Sequence, residues 1–346
     1  MKTFDLKDFK NEKILEYLQE KEKVGDNDYS QLQEFLYSLV KIFEYDPDGI
    51  PLYELIQKDW ELFVSDSACI KVMDSIIALD VDDIKKARIT DSRSTVAYQE
   101  NITDCVNVWD SLKEDIKNHH RFTTSLDKLK DAGWDTLLDN KMLLNPGTVY
   151  YRARIHYKKD DLFGTKQMGA PKSGDNLPGR ANPEGIPYLY LCEEVKTTFY
   201  ETKVNKHDVV TIGHFQIADS NPLFVEDLTD IDLNAVNLLD EDVVTLAKRK
   251  LLIRALSSDM SKPMHRFDSN IEYVPTQFIC EYVSLTQDVS GIRFSSSVYK
   301  QGTNLVIFKP GLMKCIEVEN YLVKDLDITE ELISEVGKVR AQNQAF

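Results

Sequence analysis

The stretch "LLNPGTVYYRARI", residues 143–155, divides the chain into two kinds of pattern. Pro146 and Gly147 mark a turn, and after them Val149, Tyr150, Tyr151 and Ile155 bring the β-branched and aromatic character of a strand. On its N-terminal side apolar residues recur three and four apart from about residue 3 to 142, as in "YSQLQEFLYSLVKIF" with Leu32, Phe35, Leu36, Leu39 and Phe43. Further helices are expected in "YELIQKDWELFV", "SACIKVMDSIIAL", "VNVWDSLKEDIKNHHRF" and "SLDKLKDAGWDTLL", the last starting at Ser125, with Pro47 and Pro51 in a loop, "YDPDGIPLY". On its C-terminal side strands are expected at 148–156, 186–191, 208–217, 222–226, 291–295 and 303–308, and helices at 193–203, 240–257 and 276–284. The tail "DITEELISEVGKVRAQ" reads as a last helix, with Asp327 as N-cap and Glu330 completing a capping box. The expected class is α+β: an all-helical domain over 1–145, then a mixed α+β domain over 146–346.

Composition narrows the function. The 346 residues carry 42 Lys+Arg against 58 Asp+Glu, a formal charge of −16. Such a surface repels nucleic-acid backbones and anionic membranes, so neither is expected as a partner; a basic protein suits it better. An anionic ligand needs cations gathered in one pocket. The first twenty residues mix charge with apolar residues and contain neither a signal peptide nor a membrane span, so a cytoplasmic location is expected. Cys69, Cys105, Cys192, Cys280 and Cys315 stand singly, which disfavours a zinc cluster or disulfide framework. His119 and His120 lie on a charged helix without a third ligand, and a solvated face is the better reading. No H-E-x-x-H, G-x-x-x-x-G-K-[ST] or G-x-S-x-G occurs.

The arginines are the informative residues. Arg152 and Arg154 alternate with Tyr151, Ala153 and Ile155, so a strand aims both guanidinia to one face. That face is either the charged outside of an edge strand or part of an anion pocket. Arg180 stands in "PGRANPEG", where Pro178, Gly179, Pro183 and Gly185 make either a plain surface turn or a frame that holds the side chain. In "CEEVKTTFYETK", periodicity alone reads Glu201 as solvated, and Glu193 and Glu194 are equally eligible, so spacing singles out no working carboxylate. The serine turn in "GIRFSSSVYKQGTNLVIF" can offer hydroxyl and backbone donors to an anion, or is merely a turn.

Taken in order, "YYRARI", "GRANPEGIPYLYLC", a helical glutamate, "YVPTQFI" and "GIRFSSS...GTNLVIF" resemble the RES domain family, over about residues 147–310. The resemblance places the family's arginines on Arg152 and Arg180, its strand-end tyrosine on Tyr190, its glutamate on Glu201 and its serine on Ser296. One departure is "GRAN" where many members read "GRWN", so that Ala181 is expected to widen the pocket or change what stacks there. The resemblance implies a fold similar to the ADP-ribosyltransferases and a metal-independent toxin or defence effector of toxin–antitoxin type. Such an enzyme takes NAD+ as substrate, with no other cofactor, and cleaves the nicotinamide–ribose bond with water or phosphate as acceptor. Under that reading Arg152 and Arg180 grip phosphates, Tyr190 packs on nicotinamide, Glu201 stabilises the ribosyl cation and Ser296 bonds nicotinamide or the acceptor. Transfer of ADP-ribose to a macromolecule and a non-catalytic NAD+ or ADP-ribose sensor are the alternatives.

Helical domains attached to RES domains have been grouped with HEPN-type domains, whose RNases need an arginine followed a few residues on by a histidine. Neither Arg88 nor Arg93 has one, and "HHRF" reverses the order. Residues 1–145 are therefore read as regulatory, sensing or oligomerising, with restraint by an antitoxin or by the helical domain itself. The segment 157–176, "YKKDDLFGTKQMGAPKSGDN", is a candidate lid or an insertion.

Overall fold

The structure, a computed structural model, describes residues 4–79, 88–121, 126–156, 162–174, 177–263 and 270–325. The expected tail helix and the helix start at Ser125 lie outside these residues. The N-terminal half supplies α1 (Glu12–Val24), α2 (Ser30–Lys41), α3 (Leu52–Asp59), α4 (Asp66–Ile77), α5 (Glu100–Asn118) and two short helices, α6 (Asp127–Asp131) and α7 (Trp134–Leu137). Asn11 and Ser65 cap α1 and α4 by accepting the otherwise unpaired N–H groups of the first turn. The three-and-four spacing of α2 is used as expected: Leu32, Phe35, Leu36, Leu39 and Val40 are all buried.

This half is not purely helical. Strand β1 (Phe43–Pro51) pairs antiparallel with β2 (Thr95–Tyr98), and both Tyr45 and Ile50 face Val96, so the proline-containing loop is a bulge within a strand. Its two prolines and three acidic residues concealed the pairing from a period-two reading.

An eight-stranded sheet organises the rest. Its strands are β3 (Lys141–Leu144), β4 (Tyr150–Ile155), β5 (Leu189–Cys192), β6 (Val209–Ile217), β7 (Leu223–Asp227), β8 (Gly291–Ser295), β9 (Thr303–Ile307) and β10 (Met313–Leu322). They lie in the order β10-β6-β4-β5-β9-β8-β7-β3, with β7 parallel to β8 and the other neighbours antiparallel. The turn at 145–149 that marks the change of pattern joins β3 to β4, two strands of this one sheet. Three helices complete the fold: α8 (Val195–Glu201), α9 (Val243–Met260) and α10 (Val274–Thr286). The chain is thus α+β.

Two apolar layers sandwich the sheet. On one face Ile292, Phe294 and Val306 join a buried cluster that runs from Phe4 through the N-terminal helices to α9 and α10. Trp109 of α5, Trp134 of α7 and Tyr282 of α10 meet there, each ring centroid 5.9 Å from the next. On the opposite face Tyr150, Met168, Leu189, Leu191, Phe215, Leu305 and Ile307 form a second cluster. Leu305, Val306 and Ile307 alternate between the two layers, as the pleat requires.

Candidate active site

Strands β4 and β5 share a single paired position, Tyr151 with Cys192. Where the two strands part a cleft of ≈ 310 Å³ opens, lined by Arg152, Arg180, Tyr190, Glu201, Phe294 and Asn304 among others. Four of the five residues singled out in the sequence meet here, and the fifth, Ser296, bonds one of them.

The loop carrying Arg180 is held from two sides. The Tyr190 hydroxyl accepts the Ala181 N–H (2.9 Å) and donates to Asn182 Oδ1 (2.6 Å), while Asn182 Nδ2 donates to the carbonyls of Pro183 and Ile186 (both 3.0 Å). From α10, Gln277 Nε2 donates to Gly179 O (2.8 Å) and Thr276 Oγ1 to Arg180 O (2.7 Å). Gly179 must lack a side chain, because a Cβ there would lie 2.7 Å from the Tyr190 oxygen. Of the two readings of "PGRANPEG", the structure adopts the frame. Tyr190 therefore has a positioning contact that the sequence did not disclose, and burial pushes its phenol pKa up. Ala181 itself is fully buried in the main core and is not among the residues that line the cleft.

The Arg180 guanidinium donates to Asp259 O (3.1 Å) and Lys262 O (2.6 Å), at the C-terminal end of α9, and burial lowers its pKa. Arg152 and Arg154 share a strand face, as expected, and both bond the segment around Met168: Arg152 Nη1 reaches Met168 O (2.7 Å) and Gly169 O, and Arg154 Nη1 reaches Gln167 O. Gly213, opposite Arg152 on β6, leaves room for this segment, since a Cβ would meet Met168 at 3.1 Å. The described part of the candidate lid, 162–174, is thus seated on the sheet, with Met168 fully buried and Phe163 stacked on His156. Burial first, then the charge of Arg154, pushes Arg152 down to about 10. Among the described residues no carboxylate lies within salt-bridge distance of Arg152, Arg154 or Arg180. Arg152 and Arg180 are half-buried and Arg154 is exposed, so in a chain with 58 acidic residues two partly desolvated cations face the cleft without a salt-bridge partner.

Structure separates the three glutamates. Glu193 forms a bidentate pair with Arg293 (2.7 and 3.0 Å), Glu194 is exposed at the start of α8, and Glu201 lines the cleft at the end of α8. Ser296 Oγ donates to Glu201 Oε1 (2.7 Å) and Asn304 Nδ2 donates to the same oxygen (2.6 Å), leaving Oε2 without a protein donor among the described residues. Ser296 Oγ also accepts the N–H groups of Val298 (3.2 Å) and Tyr299 (3.1 Å), so its hydroxyl hydrogen is directed at Glu201. Asn304 escaped the sequence reading. Its one signal was a polar residue inside the apolar strand "TNLVIF", where a buried amide needs partners; Cys192 Sγ supplies another at 3.3 Å from Oδ1.

Among the described residues no group of three or more His, Cys, Asp or Glu is placed to hold a metal, and His120 bonds Asp115 (2.8 Å). A larger cavity of ≈ 830 Å³ beside α5 is lined by Glu100, Asp104 and Asp115 and contains none of the cleft groups. No helix among these residues is long and apolar enough to cross a membrane.

Residues 149–329, just over half of the chain, match the model of the RES domain. The chain belongs to the RES family. All five site residues fall inside the RES match. Among solved structures the chain is similar to a chain of the M. tuberculosis MbcT–MbcA toxin–antitoxin complex, at 12% identity and a TM-score of 0.31, over 55% of this chain and 92% of that one. No curated protein matches the chain.

Proposed function

We propose that this RES protein is an NAD+-degrading enzyme of the toxin kind, cleaving the bond between nicotinamide and ribose. The observation that carries the reading is Glu201, a carboxylate fixed through one oxygen by Ser296 and Asn304, in a cleft whose arginines have no acidic partners. A volume of ≈ 310 Å³ is at the small end of the range of about 300–1,000 Å³ for small-molecule sites. It takes the nicotinamide–ribose end of a dinucleotide and leaves the adenosine outside.

In the reaction the C1′–N bond breaks with its electron pair passing to the pyridinium nitrogen, which leaves as neutral nicotinamide. Positive charge grows on C1′ and the ring oxygen, and the Glu201 carboxylate stabilises it while Oε2 receives a ribose hydroxyl or the proton of the incoming water. Ser296 and Asn304 keep the carboxylate oriented, so no reorganisation is needed as charge develops. Arg152 and Arg180 neutralise the substrate phosphates; guanidinia that bond only neutral carbonyls exchange them for phosphate oxygens with a gain in charge. Tyr190 places the Arg180 loop and offers its ring edge to nicotinamide. An enzyme that consumes NAD+ needs restraint in its own host, and a basic antitoxin matches the charge of −16.

The test is chromatography of NAD+ incubated with purified chain, with and without phosphate. Release of nicotinamide supports the reading, ADP-ribose or its 1-phosphate identifies the acceptor, and a mass shift on an added protein marks transfer instead. Intact NAD+ under all conditions, or growth arrest that persists in Glu201→Gln, overturns it.

A further inference from the structure

One residue of α9 joins the N-terminal half to the cleft. Asp259 Oδ2 accepts the indole N–H of Trp109 (2.7 Å) and the ammonium of Lys113 (2.9 Å), both from α5. The main-chain oxygen of the same Asp259 accepts Arg180 Nη1, and Arg180 Nη2 continues to Lys262 O. Trp109 is fully buried and Lys113 lies 5.4 Å over its ring, so the α5 end of this chain of contacts is fixed by packing.

The Arg180 guanidinium is not fixed in that way. It lies between two cavities, the cleft on one side and a polar hollow of ≈ 250 Å³ on the other, the latter bounded by Lys113, Lys117, Asp259, Lys262 and Glu272. With open space on both sides, its place depends on the two carbonyls it bonds and on the ring of Tyr273, whose centroid lies 5.8 Å from its Cζ. Those carbonyls belong to the final turn of a helix and the residues after it, which fray unless tied. Two α5 donors on the Asp259 carboxylate tie that turn to the N-terminal half, and Ser261 Oγ, donating to Ser295 O (2.9 Å), ties the residues after it to β8.

We propose that Trp109 and Lys113 are positioning residues that act through Asp259 to set Arg180 in the cleft, which makes the N-terminal half a working part of the site. The proposal rests on reading Arg180 as a grip on substrate phosphate. Because that grip acts alike on bound substrate and transition state, loosening it raises KM more than it lowers kcat.

The experiment uses the full chain carrying Lys113→Met, with its side chain only partly exposed, and Trp109→Phe as a second variant that keeps the ring. KM for NAD+ is expected to rise about fivefold in Lys113→Met with kcat changed less than about twofold, and to recover in Lys113→Arg. In an Arg180→Met background Lys113→Met should add nothing, since both act on one contact. Additive effects, or a fall in kcat at unchanged KM with a lowered Tm, would show a structural defect and overturn the proposal. Amide exchange supplies a readout that needs no NAD+: residues 259–262, whose carbonyls Arg180 bonds, should exchange faster in both α5 variants. If the native chain leaves NAD+ intact yet the variants show that acceleration, the positioning role stands and the proposed reaction falls. If exchange at 259–262 is unchanged, the positioning role falls whatever the substrate.

Discussion

Arg293 and Arg152 stand on strands of the same sheet and are treated in opposite ways. Arg293 is enclosed by charge: Nε and Nη2 clasp Glu193, and Nη1 reaches Asp227 Oδ2 (2.8 Å) and Thr229 Oγ1 (2.9 Å). The hydrogen bond to Glu193, above all, holds its pKa up. Arg152 bonds only main-chain oxygens, and burial pushes its pKa down to about 10. A guanidinium whose neighbours are carboxylates is committed to the fold, whereas one whose neighbours are neutral carbonyls still carries an unbalanced charge. The contrast is what the proposed role of Arg152 rests on.

Removing the committed cation gives the largest effect. Arg293→Met strands Glu193 and Asp227 in a half-buried setting, and a loss of about 3–5 kcal/mol in urea unfolding is expected. A loss below about 1 kcal/mol would show that the carboxylates find water and that the pairing is not structural.

Next comes the carboxylate of the cleft. Glu201→Gln keeps the shape and an acceptor for Ser296 and Asn304 but removes the charge, so kcat for NAD+ cleavage should fall by about 10²–10³ with unfolding unchanged. A matching drop in stability would mean that Glu201, like Glu193, serves the fold.

Smaller again is the loss of the unbalanced cation. Arg152→Met should raise KM for NAD+ by about ten- to thirtyfold. Stability should stay within about 1 kcal/mol, because relief of an unpaired buried charge offsets two bonds to carbonyls. Were Arg152→Met as destabilising as Arg293→Met, the contrast between the two arginines would collapse.

The fold was legible wherever apolar residues recur with a clear period. Strands β4 to β9 and helices α8 to α10 fall within a few residues of their expected places. What escaped are strands with little to bury: β10, "MKCIEVENYL", is a sheet edge with an acidic outer row, β3 is four residues long at the other edge, and β1 contains two prolines. The site was legible only as an ordered set of residue types. Helix periodicity places Glu201 no better than Glu194, because what distinguishes it comes from Ser296 and Asn304, 95 and 103 residues away in the chain. Asp259 left no local signal at all, since its importance lies in which helix grips it.

Carboxylates show the same contrast as the arginines. Glu201 receives two side-chain donors, whereas Glu226 on β7 is fully buried, accepts one N–H from Asn140 (3.0 Å) and has Oε2 without a partner. Burial raises the Glu226 carboxyl from 4.5 to about 7. A raised folded-state pKa means that the protonated acid is the form the fold prefers. Its contribution is complete below the unfolded value near 4.5 and is lost as pH rises through 7, so stability should decline across that window. Glu226→Gln should flatten the decline, at a cost of about 1–2 kcal/mol near pH 5 from the amide's unpaired N–H. At pH 8 it should add about 1 kcal/mol, the removed charge outweighing the amide's unpaired N–H. Urea unfolding of both chains from pH 5 to 8 measures this, and a variant less stable than the native chain at pH 8 would show that the buried carboxylate is compensated.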